Sequence, residues 1–165
     1  MVCSEAREVL LQSSHSARVG TEKAVMEQLE WVLGQLGTPV NTIADIKSMA
    51  AEACLNAIEH GCQFDEACGY EVELIRQGRE LVLLVRDNGG HDPNASRLAG
   101  NRAGEEGQQR IDQIMQGDAE PRGWGLVMID ALSDSWTLKG NGKTTELEIH
   151  VQVDVTGREY RCQRP

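Results

Sequence analysis

The segment from Glu52 to Gly61 constrains the fold of this chain more than any other part of the sequence. Its residues are good helix formers and its last residue is a glycine, so the segment predicts the final turns of a helix. Glu52 and Asn56 are four residues apart, which places a carboxylate and an amide side by side on one helix face. The apolar stripe predicted for the same helix consists of Ile46, Met49, Ala50, Ala53 and Ala57. The polar pair lies beside this stripe, at the edge of the packed face.

Helical spacing and end signals predict two helices in the first third of the chain. The first is predicted to begin after Thr21, a candidate N-cap, and to stop at Gly37-Thr38-Pro39. Its apolar side chains recur at helical spacing, at Val25, Leu29, Val32 and Leu36. Thr42 and Asp45 resemble a capping box at the start of the second helix, which then continues into the Glu52 segment.

Later segments have the alternation that is typical of strands. Residues 70–74 alternate apolar and acidic side chains, and residues 81–85 form the apolar run of a central strand. A turn at Gly140-Asn141-Gly142 joins residues 136–138 and 145–153 into a last hairpin. Helices and strands in this order predict an α+β fold. It would be a two-layer α/β sandwich with a mostly antiparallel sheet and helices on one face.

Length and charge limit the classes of protein to which the chain can belong. A chain of 165 residues is typical of one domain with a substantial core. The formal net charge of −10 argues against direct nucleic-acid binding, which needs a basic surface. No apolar run approaches the length that spans a membrane, so we expect no membrane association and a cytoplasmic location. An acidic chain that binds phosphate groups would need a local cation, which indicates a divalent metal ion.

The cysteines are expected to be reduced. They form no C-x-x-C pair and their number is odd, so neither a metal site nor a complete disulfide framework is indicated. Buried free cysteines pack as small apolar side chains. The five are Cys3, Cys54, Cys62, Cys68 and Cys162.

Two groups of polar residues suggest chemistry, and each has a plain structural alternative. The Glu52 carboxylate can orient or deprotonate a hydroxyl, and the Asn56 amide oxygen can ligate Mg2+ without adding charge. The alternative is a solvated helix face. Asp87 ends an apolar strand, so its buried carboxylate needs a donor such as an adenine amino group. Gly89 lets a flat base approach the backbone. The alternative here is an ordinary turn at Asp87-Asn88-Gly89-Gly90.

A third group lies at the predicted start of a helix. Gly123 and Gly125 precede or begin an apolar segment that runs to Leu132. Bare backbone N–H groups at a helix start bind anions such as phosphate. The alternative is a flexible loop before a buried helix.

Together, residues 52–61, the Asp-x-Gly at 87–89 and the Gly-x-Gly at 123–125 resemble the three boxes of the Bergerat ATP-binding fold. That fold is shared by DNA gyrase and histidine kinases. Within it, the chain most resembles the bacterial anti-sigma-factor serine/threonine-protein kinases, whose N box is similar to residues 52–61. The resemblance covers a core from about residue 17 to residue 153 of a single domain, 1–165.

The resemblance implies a role for each residue. Glu52 would be the catalytic base, and Asn56 would ligate Mg2+. Asp87 would bind the adenine amino group, with Gly89 beneath the base. The other ATP-binding positions would be Gly123 and Gly125 at the phosphates and Thr145 at the adenine.

Residues 91–122 are predicted to be a lid over the nucleotide. The segment is polar and rich in glycine, and a stretch this long is typical of a functional lid or of disorder. At His91 the family often has a second glycine instead. Four arginines of the segment and its end can reach phosphate or lie on the surface, namely Arg97, Arg102, Arg110 and Arg122.

The resemblance therefore implies an ATP- and Mg2+-dependent serine/threonine-protein kinase. It would phosphorylate a serine of an anti-sigma-factor antagonist, sequester a sigma factor and form a homodimer. Three other interpretations stay open. They are an ATP-binding anti-sigma or partner-switch protein with little kinase activity, an isolated histidine-kinase-like ATPase domain, and an unrelated α+β protein.

Overall fold

The molecule is a layer of helices on one face of an antiparallel sheet, as the sequence predicts. The computed structural model describes residues 6–89, 98–101 and 124–153. The strands are β1 (Arg7–Ser16), β2 (Gly69–Gln77), β3 (Glu80–Asp87), β4 (Leu98–Asn101), β5 (Ser135–Gly140) and β6 (Thr145–Gln152). The helices are α1 (Glu22–Gln35), α2 (Val40–Asn56), its π-helical continuation (Ala57–Gly61) and α3 (Trp124–Leu132). The strands pair in the order β1-β2-β3-β6-β5-β4.

The helices pack on the sheet through the apolar stripe predicted for α2. Its predicted members are all buried, namely Ile46, Met49, Ala50, Ala53 and Ala57. Val72 and Leu74 of β2 and Leu83 and Val85 of β3 belong to the same core cluster, with Leu29 of α1. Because alternate residues of a strand point to opposite faces, these side chains define the helix-facing side of the sheet. Among the described residues, no helix is both long and apolar enough to cross a bilayer.

The opposite face of the sheet is polar around a small apolar cluster. Ile75, Val82 and Leu84 are buried there, in a cluster separate from the main core. Charged residues on the same side of the strands surround this cluster, among them Glu71, Glu73, Glu80, Arg86, Glu146, Glu148 and His150. We call this side the outer face of the sheet.

Two strands differ from the sequence prediction. No strand is predicted before Thr21, yet β1 forms an edge of the sheet and pairs with β2. A β-bulge between Val9 and Leu11 interrupts the two-residue alternation, so the usual strand signal is missing. β4 falls within the predicted lid and pairs with β5. The rest of residues 91–122 lies outside the described residues.

The predicted start of α2 is wrong. The helix begins at Val40 after Pro39, and no side chain caps it, so Thr42 and Asp45 do not form a capping box there. Proline has a fixed φ, and the helix does not extend to residues before it, so Pro39 sets the boundary instead.

Thr21 occupies the predicted N-cap position of α1, but its side chain makes no cap hydrogen bond. Its hydroxyl lies 2.8 Å from the hydroxyl of Tyr70 instead.

The expectation of reduced cysteines is wrong for one pair. Cys62 and Cys68 form a disulfide with their Cα atoms 5.6 Å apart. Their pairing depends on the turn between the π-helical turn and β2, which their spacing in the sequence does not indicate. Cys54 is free and buried, as expected. Burial raises the pKa of the Cys54 thiol to about 12. Cys3 and Cys162 lie outside the described residues.

His150 makes the stability of the sheet depend on pH. Its Nδ1 lies 3.1 Å from Glu80 Oε1 and its Nε2 lies 2.6 Å from Glu148 Oε1. Burial lowers the pKa of His150, but the hydrogen bonds to Glu148 and Glu80 outweigh it, so the pKa is raised above its ordinary value of 6.5. A raised pKa in the folded state stabilises the fold below the unfolded-state pKa, and this contribution is lost as the pH rises through the folded-state pKa.

We therefore expect His150→Gln to lower the free energy of unfolding by up to about 1 kcal/mol near pH 5.5 and by much less near pH 9. Urea denaturation of the wild-type protein and the variant at both pH values measures the difference. An equal loss at the two pH values would contradict the role assigned to the charged imidazole.

Candidate functional site

The segment that begins with Glu52 and Asn56 changes helix type directly after the pair. α2 is regular as far as Asn56, and both polar side chains are half-buried. From Ala57 to Gly61 the chain forms a π-helical turn, in which the N–H of Cys62 donates to the carbonyl of Ala57 at 2.8 Å. Such turns occur often at functional sites. Here the wider turn brings Gly61 against the end of β3.

Gly61 contacts the carboxylate of Asp87. A Cβ added at Gly61 would lie 2.2 Å from Asp87 Oδ2, so any other residue at this position would displace the Asp87 carboxylate. Asp87 is 2% exposed, and its Oδ1 accepts a hydrogen bond from the N–H of Gly89 at 3.0 Å. The carboxylate is thus held at the end of β3 by its own turn and by the end of the preceding helix. The sequence alone predicts Gly61 only as the end of a helix.

Gly89 contacts the backbone of the same π-helical turn. A Cβ added at Gly89 would lie 1.9 Å from the carbonyl oxygen of Gly61 and 2.9 Å from the Cα of Cys62. Both neighbours are backbone atoms, which cannot move aside as a side-chain end can. The Asp87–Gly89 turn and the end of the π-helical turn are therefore locked together.

Thr145 lies opposite Asp87 across the pairing of β6 with β3. It is 5% exposed, and its buried hydroxyl oxygen has no hydrogen-bond partner among the described residues. Elsewhere in the core a buried polar group is satisfied, since Asp130 accepts from the indole N–H of Trp136 at 2.8 Å. A buried hydroxyl without a partner destabilises a fold. Thr145 Oγ1 beside the Asp87 carboxylate therefore fits a ligand with both donor and acceptor groups, as an adenine ring has.

Glu52 lies against the first turn of α3. A Cβ added at Gly125 would lie 2.5 Å from Glu52 Oε2, so the carboxylate occupies the space that the glycine leaves open. N–H groups at a helix start are unpaired and attract anions. The Glu52 carboxylate and the start of α3 thus form one part of the site. Gly123 lies outside the described residues.

The structure therefore brings the predicted residues together in two groups. Asp87, Gly89 and Thr145 form one group at the ends of β3 and β6, and Glu52 and Gly125 form the other. Asn56 lies on α2, one helical turn after Glu52 and directly before the π-helical turn. Among the described residues there is no cluster of three or more His, Cys, Asp or Glu side chains that would hold a metal ion. A cation bound by one amide and by phosphate oxygens does not need such a cluster.

Comparisons with known proteins identify the family to which this chain belongs. The family model of the histidine kinase-like ATPase domain matches residues 15–150. Anti-sigma F factor from two strains of Clostridium kluyveri is 28% identical over 109 residues, covering 62% of this chain and 65% of that protein. The structure of the RsbU and RsbW domains of Rv1364c from Mycobacterium tuberculosis is similar in fold, with a TM-score of 0.60 and 21% identity. That match covers 87% of this chain and 31% of the other.

The chain belongs to the histidine kinase-like ATPase domain family. The family match covers most of the chain, so the resemblance to the Bergerat fold is confirmed, as is the similarity to anti-sigma factors within that fold. Membership of an ATPase family implies that the site binds ATP. The match to the curated relatives spans about two thirds of their length, and the role of each site residue stays a prediction.

Thr145→Val tests whether this hydroxyl serves a ligand. Valine has nearly the same shape but no polar atom, so the protein without nucleotide should gain up to about 1 kcal/mol in free energy of unfolding. Affinity for ATP should fall about fivefold, because the ligand loses a hydrogen bond. Urea denaturation and titration calorimetry with ATP and Mg2+ measure the two effects.

Thr137→Val is the matched control. Its hydroxyl is also buried without a partner among the described residues, but Thr137 lies on the outer face, paired with Glu148. The control should change stability in the same direction and leave ATP affinity unchanged. Equal ATP affinity of the Thr145 variant and the wild-type protein would remove Thr145 from the site.

Proposed function

We propose that this protein is an ATP- and Mg2+-dependent serine/threonine-protein kinase of the anti-sigma-factor type. The observation that carries the proposal is the contact of Glu52 with Gly125 at the start of α3. In a site that holds adenine at Asp87, the phosphates extend towards a helix start, where unpaired N–H groups bind them. A carboxylate at that helix start is in position to accept the proton of an attacking serine hydroxyl.

The other residues hold and orient the nucleotide. Asp87 accepts a hydrogen bond from the adenine amino group, and Thr145 hydrogen-bonds to the ring. The open side of Gly89 is filled by the backbone of Gly61 and Cys62, so Gly89 serves the adenine by holding the Asp87 turn in place. Asn56 offers an amide oxygen to Mg2+ one helical turn from Glu52. ATP, when bound, supplies the phosphoryl group that is transferred. Gly123 and a lid drawn from the part of residues 91–122 outside β4 complete this proposal at the phosphate end.

The protein partners are proposed from the relatives. Proteins similar to this chain are named anti-sigma F factor and RsbW domain. We infer that this chain sequesters a sigma factor and that its kinase substrate is a serine of an anti-sigma-factor antagonist. A location in the cytoplasm, where sigma factors act, follows from the same proposal. The competing function is that of a binding protein, which would bind ATP and a sigma factor but transfer no phosphoryl group.

A second copy of the chain is the proposed partner of the sheet edge. β1 is the terminal strand in the sheet order, and exposed strand edges pair readily with other strands. Val9 on this strand is 54% exposed. In a dimer that forms through β1, each copy would cover the exposed β1 edge of the other.

The dimer is tested by light scattering on the wild-type protein and two variants. Val9→Lys places a charge in the proposed contact and should shift the mass from dimer towards monomer. Val19→Lys is the control, because Val19 is 58% exposed but follows β1 rather than belonging to it. A monomeric wild-type protein, or equal masses of the two variants, would contradict a dimer through β1.

Glu52→Gln tests the kinase proposal. Glutamine keeps the shape of the side chain and removes its basicity, so phosphotransfer from ATP to the antagonist should fall by a factor of about 100 or more. ATP affinity should stay within a few-fold of the wild-type value. Single-turnover transfer of labelled phosphate measures the rate, and calorimetry measures the affinity.

Glu27→Gln, exposed on α1, is the control for the change in net charge and should transfer phosphate at the wild-type rate. Full activity of the Glu52 variant would exclude Glu52 as the base. ATP binding without phosphotransfer by the wild-type protein would favour the competing function.

A further inference from the structure

The Cys62–Cys68 disulfide closes a short loop beside the nucleotide site. Cys62 follows the π-helical turn and is buried, Cys68 precedes β2 and is half-buried, and residues 63–67 between them are exposed. Gln63 and Phe64 have φ values of 53° and 61°. Such left-handed conformations are unfavourable for residues other than glycine. Contacts elsewhere in the loop must therefore hold these two residues in place, and the disulfide is a covalent contact of this kind.

Both ends of this loop contact the turn that holds Asp87. At one end, the Cα of Cys62 and the carbonyl of Gly61 fill the space beside Gly89. At the other end, the carbonyl of Gly69, the residue after Cys68, accepts a hydrogen bond from the N–H of Asn88 at 3.0 Å. The disulfide thus ties together the two segments between which the turn lies.

We propose that Cys62 and Cys68 form a reversible thiol–disulfide site that controls nucleotide affinity through the Asp87–Gly89 turn. The inference rests on the proposed binding of ATP at Asp87. The cysteine pair reacts with a low-molecular-weight disulfide when it is oxidised and with the corresponding thiol when it is reduced. Nothing in the proposed phosphotransfer uses either cysteine.

The chemistry is two successive thiol–disulfide exchanges. The thiolate of Cys68, the more exposed partner, attacks one sulfur of the small disulfide, forms a mixed disulfide and releases the first small thiolate. The thiolate of Cys62 then attacks the Cys68 sulfur and displaces the second small thiolate. Each thiolate that leaves takes up one proton released by a cysteine. The two cysteines are oxidised by two electrons, and the small disulfide is reduced to two thiols.

The oxidised form should bind ATP more tightly. With the disulfide in place, the ends of the loop are already held against the turn, as the structure has them. In the reduced form the left-handed residues relax more easily, and ATP must then bind a turn that is less ordered. We expect reduction to weaken ATP binding about fivefold or more, the usual lower range of coupling between two sites. By the same linkage, ATP should make the disulfide harder to reduce by the same factor.

The test compares the full-length protein in two redox states. Calorimetry gives the ATP dissociation constant with Mg2+ after oxidation by oxidised glutathione and after reduction by dithiothreitol. Circular dichroism checks that the protein is folded in both states. In a second measurement, mixtures of oxidised and reduced glutathione titrate the disulfide with and without ATP, and peptide mapping assigns it to Cys62 and Cys68. The control is the double variant Cys62→Ser/Cys68→Ser, which keeps Cys3, Cys54 and Cys162.

The expected result is tighter ATP binding by the oxidised protein and a matching shift in the glutathione titration. The double variant should bind ATP as the reduced protein does, with an affinity that neither reagent changes. Should the double variant not fold, the two states of the wild-type protein carry the comparison. Equal ATP affinities in both states, with a titration unaffected by ATP, would overturn the inference and leave the proposed ATP binding intact. Absence of ATP binding in either state would overturn the proposed function and this inference with it.

Discussion

The site depends on a close contact between two backbone segments, the end of the π-helical turn and the turn that follows β3. The carbonyl of Gly61 fills the space in which a Cβ of Gly89 would lie, and the Asp87 carboxylate fills the corresponding space at Gly61. A side chain at Gly89 would push the end of the α2 segment away from the end of β3, and a side chain at Gly61 would displace the Asp87 carboxylate. The depth at which Asp87 is buried therefore depends on this contact, whereas Thr145 is aligned beside Asp87 by the pairing of β6 with β3. The distance between the end of the α2 segment and the end of β3 is set by the core packing of α2 on the sheet.

The π-helical turn separates two tasks within one helical segment. Glu52 and Asn56 precede it, so regular α-helical geometry keeps the carboxylate and the amide on one face. The wider turn begins only at Ala57, and it carries Gly61 onto β3. Because the helix type changes after Asn56, the approach to β3 does not disturb the polar pair. π-Helical turns are rare, and this one ends at the close contact of Gly61 with Asp87.

Local periodicity predicted the parts of the fold that neighbouring residues determine. The stripe of α2, the alternation in β2 and the apolar run of β3 follow from helix and strand geometry. The resemblance to the family supplied Asp87 and Thr145, and the pairing of β3 with β6 places them opposite each other. What failed at β1 and at the cysteines depends on contacts that form only when the chain folds. The bulge of β1 exists only against β2, and the Cys62–Cys68 pair exists only because a turn closes. The sequence marks Gly61 as a helix end, but its contact with Asp87 appears only when α2 and β3 pack together.

Charge determines how so acidic a chain can hold a triphosphate under the proposed function. The net charge of −10 opposes anion binding, and Glu52 adds a carboxylate at the helix start that would attract the phosphates. The helix end offers only about half a positive charge. Asn56 is an uncharged ligand, so a divalent cation that it shares with the phosphates would keep nearly its full charge. The proposed Mg2+ thus follows from the electrostatics of these residues: without it, the nucleophile's base and the phosphates would repel each other at the same helix end.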